Sequence, residues 1–249
     1  MKANRYQHRF YRNWLTAKSL QAAHIVARET DLYILTDKKL DQNFVRERIR
    51  SYRWEIENYI DKDRRFLTAL KPIEVELDAP AIVKKMSESA KAANVGPMSA
   101  VAGAIAEFLA KDLLKEGFKD VIVENGGDIF LKCRRDVAVG IYAGRSKFSR
   151  NLNLKLKAKD MPLGVCASSG TIGHSLSFGR CDCVIVVSKS ASLADAVATA
   201  TGNRVNSAKD LRTAADFACS LKGIEGVLII IKNKLIAVGK IELLKAKNP

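Results

Sequence analysis

Asp195 and Thr199 are the pair of side chains whose types and spacing most directly suggest chemistry. They lie four residues apart in an Ala-rich segment, residues 191–203, that has the composition of a short helix, so both project from one face of it. A carboxylate one turn from a hydroxyl, among small neighbours, offers hard oxygen ligands to a cation. A structural interpretation competes, because Ser192 and Asp195 have the spacing of a capping box, in which Asp195 would only close the start of its helix.

Two glycine-containing segments have the composition of anion-binding loops. Residues 168–174 read Ser-Ser-Gly-Thr-Ile-Gly-His and can present backbone N–H groups to a phosphate, although an ordinary flexible loop has the same composition. Residues 124–128 read Glu-Asn-Gly-Gly-Asp, which favours a hairpin turn but also lets a ligand approach the backbone. His174 is a candidate proton shuttle or ligand. The candidate binding residues in and near these segments are Gly126, Gly127, Asp128, Ser168, Ser169, Gly170, Thr171, Gly173 and Arg180.

The cysteines raise a zinc hypothesis. Cys166, Cys181 and Cys183 lie near His174 in the sequence, but their spacing is not that of a standard zinc module. A Cys-x-Cys pair in a strand is expected to place both thiols on one face of the sheet, and two small buried side chains are the favoured interpretation. The odd total of five cysteines favours a reducing compartment over a disulfide framework.

Composition favours a cytoplasmic, globular protein. Its positive charge is interpreted first as a solubilising, Lys-rich surface and, as the alternative, as an attraction for an anionic partner. The chain has 249 residues, is 47% hydrophobic and carries a net charge of +15, while its N-terminus has no apolar signal core and no run reaches the length of a membrane span. Residues 137–159 contain no acidic residue, so they form either a phosphate-attracting rim or a charged edge that discourages aggregation. Nucleic acid is the weakest candidate partner, because the chain has no RRM, KH or helix-turn-helix signature.

The order of the predicted elements favours an α+β fold with antiparallel pairing. Gly103, inside one of the predicted helices, indicates a close approach by a neighbour. Strands, helices and strands follow each other twice, which predicts one domain, residues 1–249, with two halves of about 1–120 and 121–249. Hairpins are predicted at 24–36, 120–133 and 226–242, the last in the middle of a sheet; further strands at 9–12, 73–77, 137–142, 152–156 and 184–187; and helices at 41–62, 81–93, 99–116 with Ser99 as cap, 191–203 and 208–222.

Four segments resemble the ApbE-like superfamily, whose best-known members are FAD:protein FMN transferases. Residues 103–112, Gly-Ala-Ile-Ala-Glu-Phe-Leu-Ala-Lys-Asp, resemble that family's helix Gly-Ala-Ile-Ala-Lys-Gly-Tyr-Ala-Val-Asp. Residues 124–128 resemble its Asn-x-Gly-Gly-Asp, residues 167–170 its Ala-Thr-Ser-Gly, and residues 194–200 its Ala-Asp-Ala-Leu-Ala-Thr-Ala. The resemblance extends over about residues 95–205 and suggests a divergent, uncharacterised branch.

The resemblance implies a T-fold-like architecture, two ββααββ halves with flavin bound between them. It implies Mg²⁺ held by the side chains of Asp195 and Thr199 and the carbonyls of Ala104 and Ala198, on the pyrophosphate of FAD. FMN would then pass to a hydroxyl of an acceptor protein, with Asp195 and His174 as the catalytic candidates. T-fold relatives often build barrels from several subunits, whereas a tandem pseudo-repeat can be self-sufficient as a monomer, so an oligomer and a monomer are both open alternatives.

Two departures from the family pattern bear on the activity. Glu107 stands where the family has Lys, which removes a cation expected near the phosphates. Residues 173–180 replace the family's longer His-Ile-Ile-Asp-Pro-x-Thr-Gly segment, and His174 and Arg180 are the residues available to substitute for its polar groups. The alternatives are therefore a Mg²⁺-dependent enzyme that acts on FAD and a protein that binds a flavin or purine without transfer.

Overall fold

The computed structural model describes residues 20–170 and 179–246. The predicted strand at residues 9–12 and the candidates Thr171, Gly173 and His174 lie outside the described residues. The strands are β1 (Gln21–Ala27), β2 (Thr30–Thr36), β3 (Val121–Asn125), β4 (Asp128–Lys132), β5 (Val137–Gly140), β6 (Leu152–Leu156), β7 (Leu163–Ser168), β8 (Cys183–Ser188), β9 (Ile224–Ile231), β10 (Lys234–Gly239) and β11 (Glu242–Lys245). The helices are α1 (Gln42–Lys62), α2 (Arg65–Thr68), α3 (Ala81–Ala93), α4 (Val101–Lys115), α5 (Ala191–Gly202) and α6 (Leu211–Ser220).

Two antiparallel sheets form the framework, which confirms the predicted α+β class. The larger sheet has eight strands in the order β1-β2-β3-β4-β7-β8-β9-β10, and the smaller has three in the order β11-β6-β5. Every described strand pair is antiparallel. The first four strands of the large sheet precede residue 133 and the last four follow residue 162, and we propose that the domain is built from two such halves.

Side-chain alternation along the large sheet separates two hydrophobic cores. On β8, Val184 and Val186 face a core shared with the helices, whereas Ile185 and Val187 face a core covered by the small sheet. A strand buried on both faces has no polar side to reveal its period, which is why residues 184–187 read as a continuous apolar run. On the helix side, α4 packs on β3 and β4, α5 on β7 and β8, and α6 on β9 and β10.

Two predicted strands are wrong in ways that have a physical reason. Residues 73–77 alternate like a strand but pair with no other strand in the described chain; side chains hold them instead, since Ser87 Oγ donates to the Ile73 carbonyl and Tyr59 Oη donates to Glu76. The predicted strand 235–242 breaks at Gly239, whose φ of +79° turns the chain. Residues before this break form the edge strand β10, not a central one, and residues after it join the small sheet as β11.

Within the described residues no single helix is long and apolar enough to cross a membrane. Only α3 and α4 taken together, with a bend of 102° between them, reach the necessary length and composition.

Candidate active site at the start of helix α4

Asp195 closes the N-terminus of α4, a helix to which it does not belong. Its Oδ2 accepts a hydrogen bond of 2.9 Å from the backbone N–H of Gly103. Ser99, predicted as the cap of this helix, instead donates to the Gly96 carbonyl within the short 3₁₀ turn that precedes α4. The first N–H groups of a helix have no partner inside it, so a carboxylate from a neighbouring helix both satisfies them and meets the positive end of the helix dipole.

The capping box predicted for Ser192 and Asp195 is wrong. Helix α5 begins at Ala191, its N-cap is Ser190, and the Ser190 side chain accepts from the N–H of Leu193. Asp195 lies one turn inside α5, too far along to close its own helix. The choice between a structural and a chemical role for Asp195 therefore turns on its contacts with α4.

Small residues let the backbones of α4, α5 and β7 pack directly against one another beside Asp195. A Cβ atom on Gly103 would lie 2.3 Å from the carbonyl oxygen of Ala191 and 2.9 Å from Cβ of Asp195. A Cβ atom on Gly164 of β7 would lie 2.4 Å from Cα of the same Ala191. The close neighbour predicted for Gly103 is confirmed, and Ala191 is wedged between two glycines.

The turn between β3 and β4 brings a second carboxylate to Asp195. Gly126 and Gly127 have φ of +69° and +106°, the left-handed conformation that a two-residue hairpin requires. Asp128, next after them, is buried and accepts from the N–H of Ala167 on β7 at 3.2 Å. Asn125, just before them, donates to the Ala102 carbonyl at 3.2 Å and so ties the hairpin to the start of α4.

Burial, followed by the charge of Asp128, raises the pKa of Asp195 well above its ordinary value. Hydrogen bonds from the N–H groups of Gly103 and Ala102 act in the opposite direction, since they favour the charged form. Burial also raises the pKa of the Cys166 thiol, as do the charges of Asp128 and Asp195. Two carboxylates and a thiol thus lie close enough for their charges to interact, in a place where an ionised carboxylate is costly without a cation.

The remaining predicted ligands lie on the same two helices. Thr199 is one turn beyond Asp195, and it and Leu193 are the only residues of α5 that are not buried. Ala104 and Ala198 are fully buried in the contact between α4 and α5. We call Asp195, Thr199, Asp128 and the first turn of α4 the Asp195 site.

The predicted phosphate loop leaves β7 and returns at the C-terminal end of α5. The N–H of Gly170 donates to the Cys181 carbonyl at 3.0 Å, and the N–H of Arg180 donates to the Val205 carbonyl at 2.8 Å. Ser168 is buried, with Oγ 3.6 Å from where a Cβ of Gly202 would be. Ser169 and Gly170 are partly exposed and the side chain of Arg180 is exposed, so the ends of the loop are adjacent to the helix that carries Thr199.

The cysteines do not form a metal centre within the described ranges 20–170 and 179–246. No group of three or more His, Cys, Asp or Glu residues is arranged there to hold an ion. The prediction that Cys181 and Cys183 share a sheet face is wrong, because Cys181 precedes β8 and lies in the helix-side core, whereas Cys183 lies in the other core. Cys166, Cys181 and Cys183 are small buried side chains, as the favoured interpretation expected.

Two of the four lysines in the basic segment 137–159 form ion pairs. Lys155 lies 3.2 Å and Lys157 2.6 Å from the carboxylate of Glu242 on β11. Lys155 also approaches Asp136 at 3.6 Å. These pairs link β6 to its neighbours in the small sheet, which favours the structural interpretation of this segment over a phosphate-attracting rim.

Sequence reasoning missed three contributors to the site. Asn125 was treated only as a turn residue, and Cys166 only as a possible zinc ligand. Glu107 was interpreted as a lost cation, but it is buried and bonded to the start of α5, where Oε2 accepts from the N–H of Ser192 at 3.1 Å. The one sequence feature that could have revealed the role of Glu107 is that a charged residue lies on the apolar face of a predicted helix.

Comparisons with known proteins agree with this architecture. A family model with the description "AbpE bacteria" matches residues 12–228. The chain belongs to this family. The chain is similar to UPF0280 protein MJ1526 of Methanocaldococcus jannaschii, which is 43% identical over 89% of this chain and 92% of its own. A UPF0280 protein of Methanosarcina acetivorans is 41% identical over 83% of this chain and 82% of its own.

Two solved structures with a similar fold are named as a flavin transferase and a flavinyl transferase. The Flavin Transferase ApbE from Vibrio cholerae superposes with a TM-score of 0.58 at 14% identity, over 88% of this chain and 97% of that one. The apo form of flavinyl transferase ApbE from Pseudomonas stutzeri superposes with a TM-score of 0.56 at 13% identity, over 88% of this chain and 94% of that one. At this level of identity the likeness establishes the ApbE-like fold of the family.

Proposed function

We propose that this protein binds FAD, or a related phosphorylated nucleotide, together with Mg²⁺ at the Asp195 site. The observation that carries the proposal is the position of Asp195, a buried carboxylate at the N-terminus of α4 whose charge interacts with that of Asp128. The flavin transferase fold supplies the nucleotide class, since the two solved structures named above are called flavin transferases.

The donors around Asp195 have the chemistry that Mg²⁺ selects. Asp195, Thr199 and the carbonyls of Ala104 and Ala198 all offer oxygen, and Mg²⁺ prefers oxygen to nitrogen or sulfur. Mg²⁺ commonly takes one or two carboxylates from the protein and completes its shell with water and substrate phosphates. The site has two carboxylates, and the described residues contain no larger cluster of ligating side chains. Such a site suits an ion that is shared with substrate phosphates better than an ion that is bound by protein ligands alone.

Charge balance favours the same conclusion. No lysine or arginine of the described chain forms an ion pair with Asp195, although Asp128 raises the negative charge beside it. A divalent cation would remove the repulsion between the two carboxylates and admit the pyrophosphate of a nucleotide. When bound, Mg²⁺ supplies Lewis acidity and holds the phosphates in place.

The residues of the chain would then orient the ligand. Gly127 leaves its surroundings open, because the nearest atom to a Cβ placed there would be Ala167 Cβ at 4.0 Å, so a ligand can approach the hairpin backbone. Arg180 is exposed, and its backbone N–H donates to the Val205 carbonyl next to the Gly170–Cys181 contact, where a cation can meet a phosphate. Ser168, Ser169 and Gly170 lie at the same end of β7 and complete the proposed binding residues.

A binding role without transfer is the second candidate, and Glu107 favours it. At the position where the motif of the resembling family has Lys, this chain has a buried carboxylate that is hydrogen-bonded to the start of α5. Transfer of FMN to an acceptor hydroxyl, with AMP as the leaving group, would therefore lack the cation that the family has at that position. The two candidates share the same site and differ in whether the pyrophosphate is broken.

Calorimetric titration with FAD, in Mg²⁺ and in EDTA, tests the proposal on the full chain. We expect Mg²⁺-dependent binding that Asp195→Asn abolishes and that Asp216→Asn, which removes an exposed carboxylate of α6, leaves unchanged. Equal binding of FAD by the wild type and Asp195→Asn in the presence of Mg²⁺ would contradict the role given to Asp195. Assay of the equilibrated mixture for AMP separates cleavage or transfer from binding alone.

A further inference from the structure

Glu107 is a buried carboxylate that the proposed chemistry does not use. Its side chain is 2% exposed. Oε2 accepts from Ser190 Oγ at 2.8 Å and from the N–H of Ser192 at 3.1 Å, while Oε1 accepts from Lys111 Nζ at 2.5 Å. Burial of a charged pair is weak evidence for a contribution to stability, because an apolar replacement is often as stable. The partners of Glu107 indicate a more specific role.

Glu107 and Asp195 make reciprocal contacts. Asp195 of α5 closes the N-terminus of α4 at Gly103, and Glu107, one turn further along α4, closes the N-terminus of α5 at Ser192. Each of these two packed helices is therefore held at its start by a carboxylate of the other. Ser192 and Asp195 are three residues apart, so the contact of Glu107 lies within one turn of the candidate ligand.

We infer that Glu107 is a positioning residue, which fixes the rotation and axial position of α5 against α4 and thereby sets where Asp195 and Thr199 lie. The inference rests on the proposed Mg²⁺ function. A short helix moves nearly as a rigid body, so displacement of its first turn carries Asp195 with it. Without the carboxylate, the N–H of Ser192 and the hydroxyl of Ser190 would be left in a buried setting with fewer acceptors.

A purely stabilising role makes a different prediction from a positioning role. In Glu107→Ala the side chain leaves a space bordered by the donors Ser190 Oγ, Ser192 N and Lys111 Nζ, and Lys111 is half-exposed at the entrance. Formate is small enough to enter and can restore the missing acceptor. If Glu107 positions α5, formate should restore metal binding as well as stability.

The experiment titrates Mg²⁺ alone into the full chain by calorimetry. The variants are the wild type, Glu107→Ala with and without formate, Glu107→Gln, and Leu113→Ala, a buried α4 residue further along the helix that serves as the control for lost stability. We expect Glu107→Ala to bind Mg²⁺ about 10-fold more weakly, as is typical when a residue that orients a ligand is removed. Formate should recover most of this loss, Glu107→Gln should lie between, and Leu113→Ala should bind like the wild type.

Amide hydrogen exchange of Gly103 in the metal-free protein gives a readout that does not depend on metal binding. The acceptor of this N–H is Asp195, so its exchange should accelerate about 10-fold in Glu107→Ala and slow again with formate. Each rate is expressed relative to that of an α1 amide, such as that of Ile56, to correct for a change in global stability. On this scale the exchange of Gly103 should stay unchanged in Leu113→Ala. If the wild type binds neither Mg²⁺ alone nor FAD in the presence of Mg²⁺, the proposed function fails while this exchange still tests Glu107. Unchanged exchange at Gly103 in Glu107→Ala, or an Mg²⁺ affinity of this variant within twofold of the wild type, would overturn the inference. If Glu107→Ala does not fold, the same comparison is made with Glu107→Gln.

Discussion

The carbonyl oxygen of Ala191 lies 2.3 Å from the position that a Cβ atom on Gly103 would occupy. Helices α4 and α5 consequently meet backbone to backbone, with no side chain between them. This contact brings the N–H of Gly103 within 2.9 Å of Asp195 Oδ2. The site depends on the absence of a methyl group at residue 103, which makes that position a direct test of the geometry.

Gly103→Ala should destabilise the protein although alanine is the better helix former. The added methyl forces α5 away from α4, and overpacking of this kind costs about 1–3 kcal/mol, more than the ~1 kcal/mol that alanine contributes by helix propensity. Urea unfolding in the absence of metal measures the difference. Gly164→Ala, which would press on Ala191 from β7 at 2.4 Å, should behave alike, and a Gly103→Ala protein more stable than the wild type would contradict the close packing.

Asp195→Asn should stabilise the metal-free protein and abolish its stabilisation by Mg²⁺. Burial and Asp128 raise the pKa of Asp195 in the folded state, so the folded protein binds more protons than the unfolded chain, and its stability falls as pH rises through the raised pKa. Asparagine has no charge to bury and keeps an acceptor for Gly103. Above that pKa the gain should be about 1 kcal/mol or more, since each pKa unit corresponds to about 1.4 kcal/mol.

Thermal unfolding with and without Mg²⁺ provides the measurement. For a chain of this size a gain of 1 kcal/mol raises Tm by about 2–4 °C. The control is Asp216→Asn, whose carboxylate is exposed in a pair with Arg212. A metal-free Asp195→Asn protein that is less stable than the wild type at alkaline pH would show that Asp195 acts mainly as a structural cap.

Sequence patterns predicted the elements whose signals are local. The Gly-Gly turn at residues 126–127 and the hydrophobic periodicity of residues 41–62 gave a hairpin and a helix that the structure has. Asp195 was selected by its spacing to Thr199, and the predicted close approach at Gly103 is present. The signals for these features are short local patterns, such as a Gly-Gly pair, a helical periodicity or a glycine inside a helix, which sequence shows directly.

The features that sequence could not predict depend on partners distant in the chain. Asp195 closes a helix whose first turn lies 92 residues earlier, and a local capping rule assigned it to its own helix instead. Residues 73–77 alternate as a strand does but meet side chains rather than a neighbouring strand. The role of Glu107 was hidden for the same reason, since Ser192 lies 85 residues away.

Asp120→Asn, a change away from the site, should destabilise the fold at neutral pH but not in strong acid. Hydrogen bonds from Arg134, chiefly from its side chain, lower the pKa of Asp120, whose Oδ2 is 2.6 Å from Nη2 of that arginine. A carboxyl whose pKa is lowered on folding stabilises the protein above its unfolded pKa, and this contribution is lost as pH falls through the folded pKa. The variant should lose about 1–2 kcal/mol at neutral pH.

Urea unfolding at a series of pH values from neutral to about 2 provides the check. The difference between the wild type and Asp120→Asn should shrink below the ordinary aspartate pKa of 3.8. Asp216→Asn again serves as the exposed control, with little change at any pH. A difference that does not vary with pH would assign the loss to packing rather than to the charge of Asp120.

The charges of Asp128 and Asp195 should repel each other in the metal-free protein, and bound Mg²⁺ should reverse the sign of this coupling. Their repulsion exists only when both are ionised, so either single change to asparagine relieves it in the metal-free protein and the double change relieves it once. The stability gains of the two single variants should therefore add up to more than the gain of the double variant. A double-mutant cycle by urea unfolding, above the raised pKa of Asp195, measures this difference.

The same cycle at lower pH or with saturating Mg²⁺ identifies the origin of the coupling. Protonation of Asp195 removes one charge, and a bound divalent cation attracts both carboxylates, so the repulsive coupling should disappear in the first case and change sign in the second. Cys166→Ala, which removes the thiol beside both carboxylates without changing their charge, should leave the coupling in place. Additive effects in the metal-free protein at alkaline pH would mean that the two carboxylates are too far apart to hold one cation.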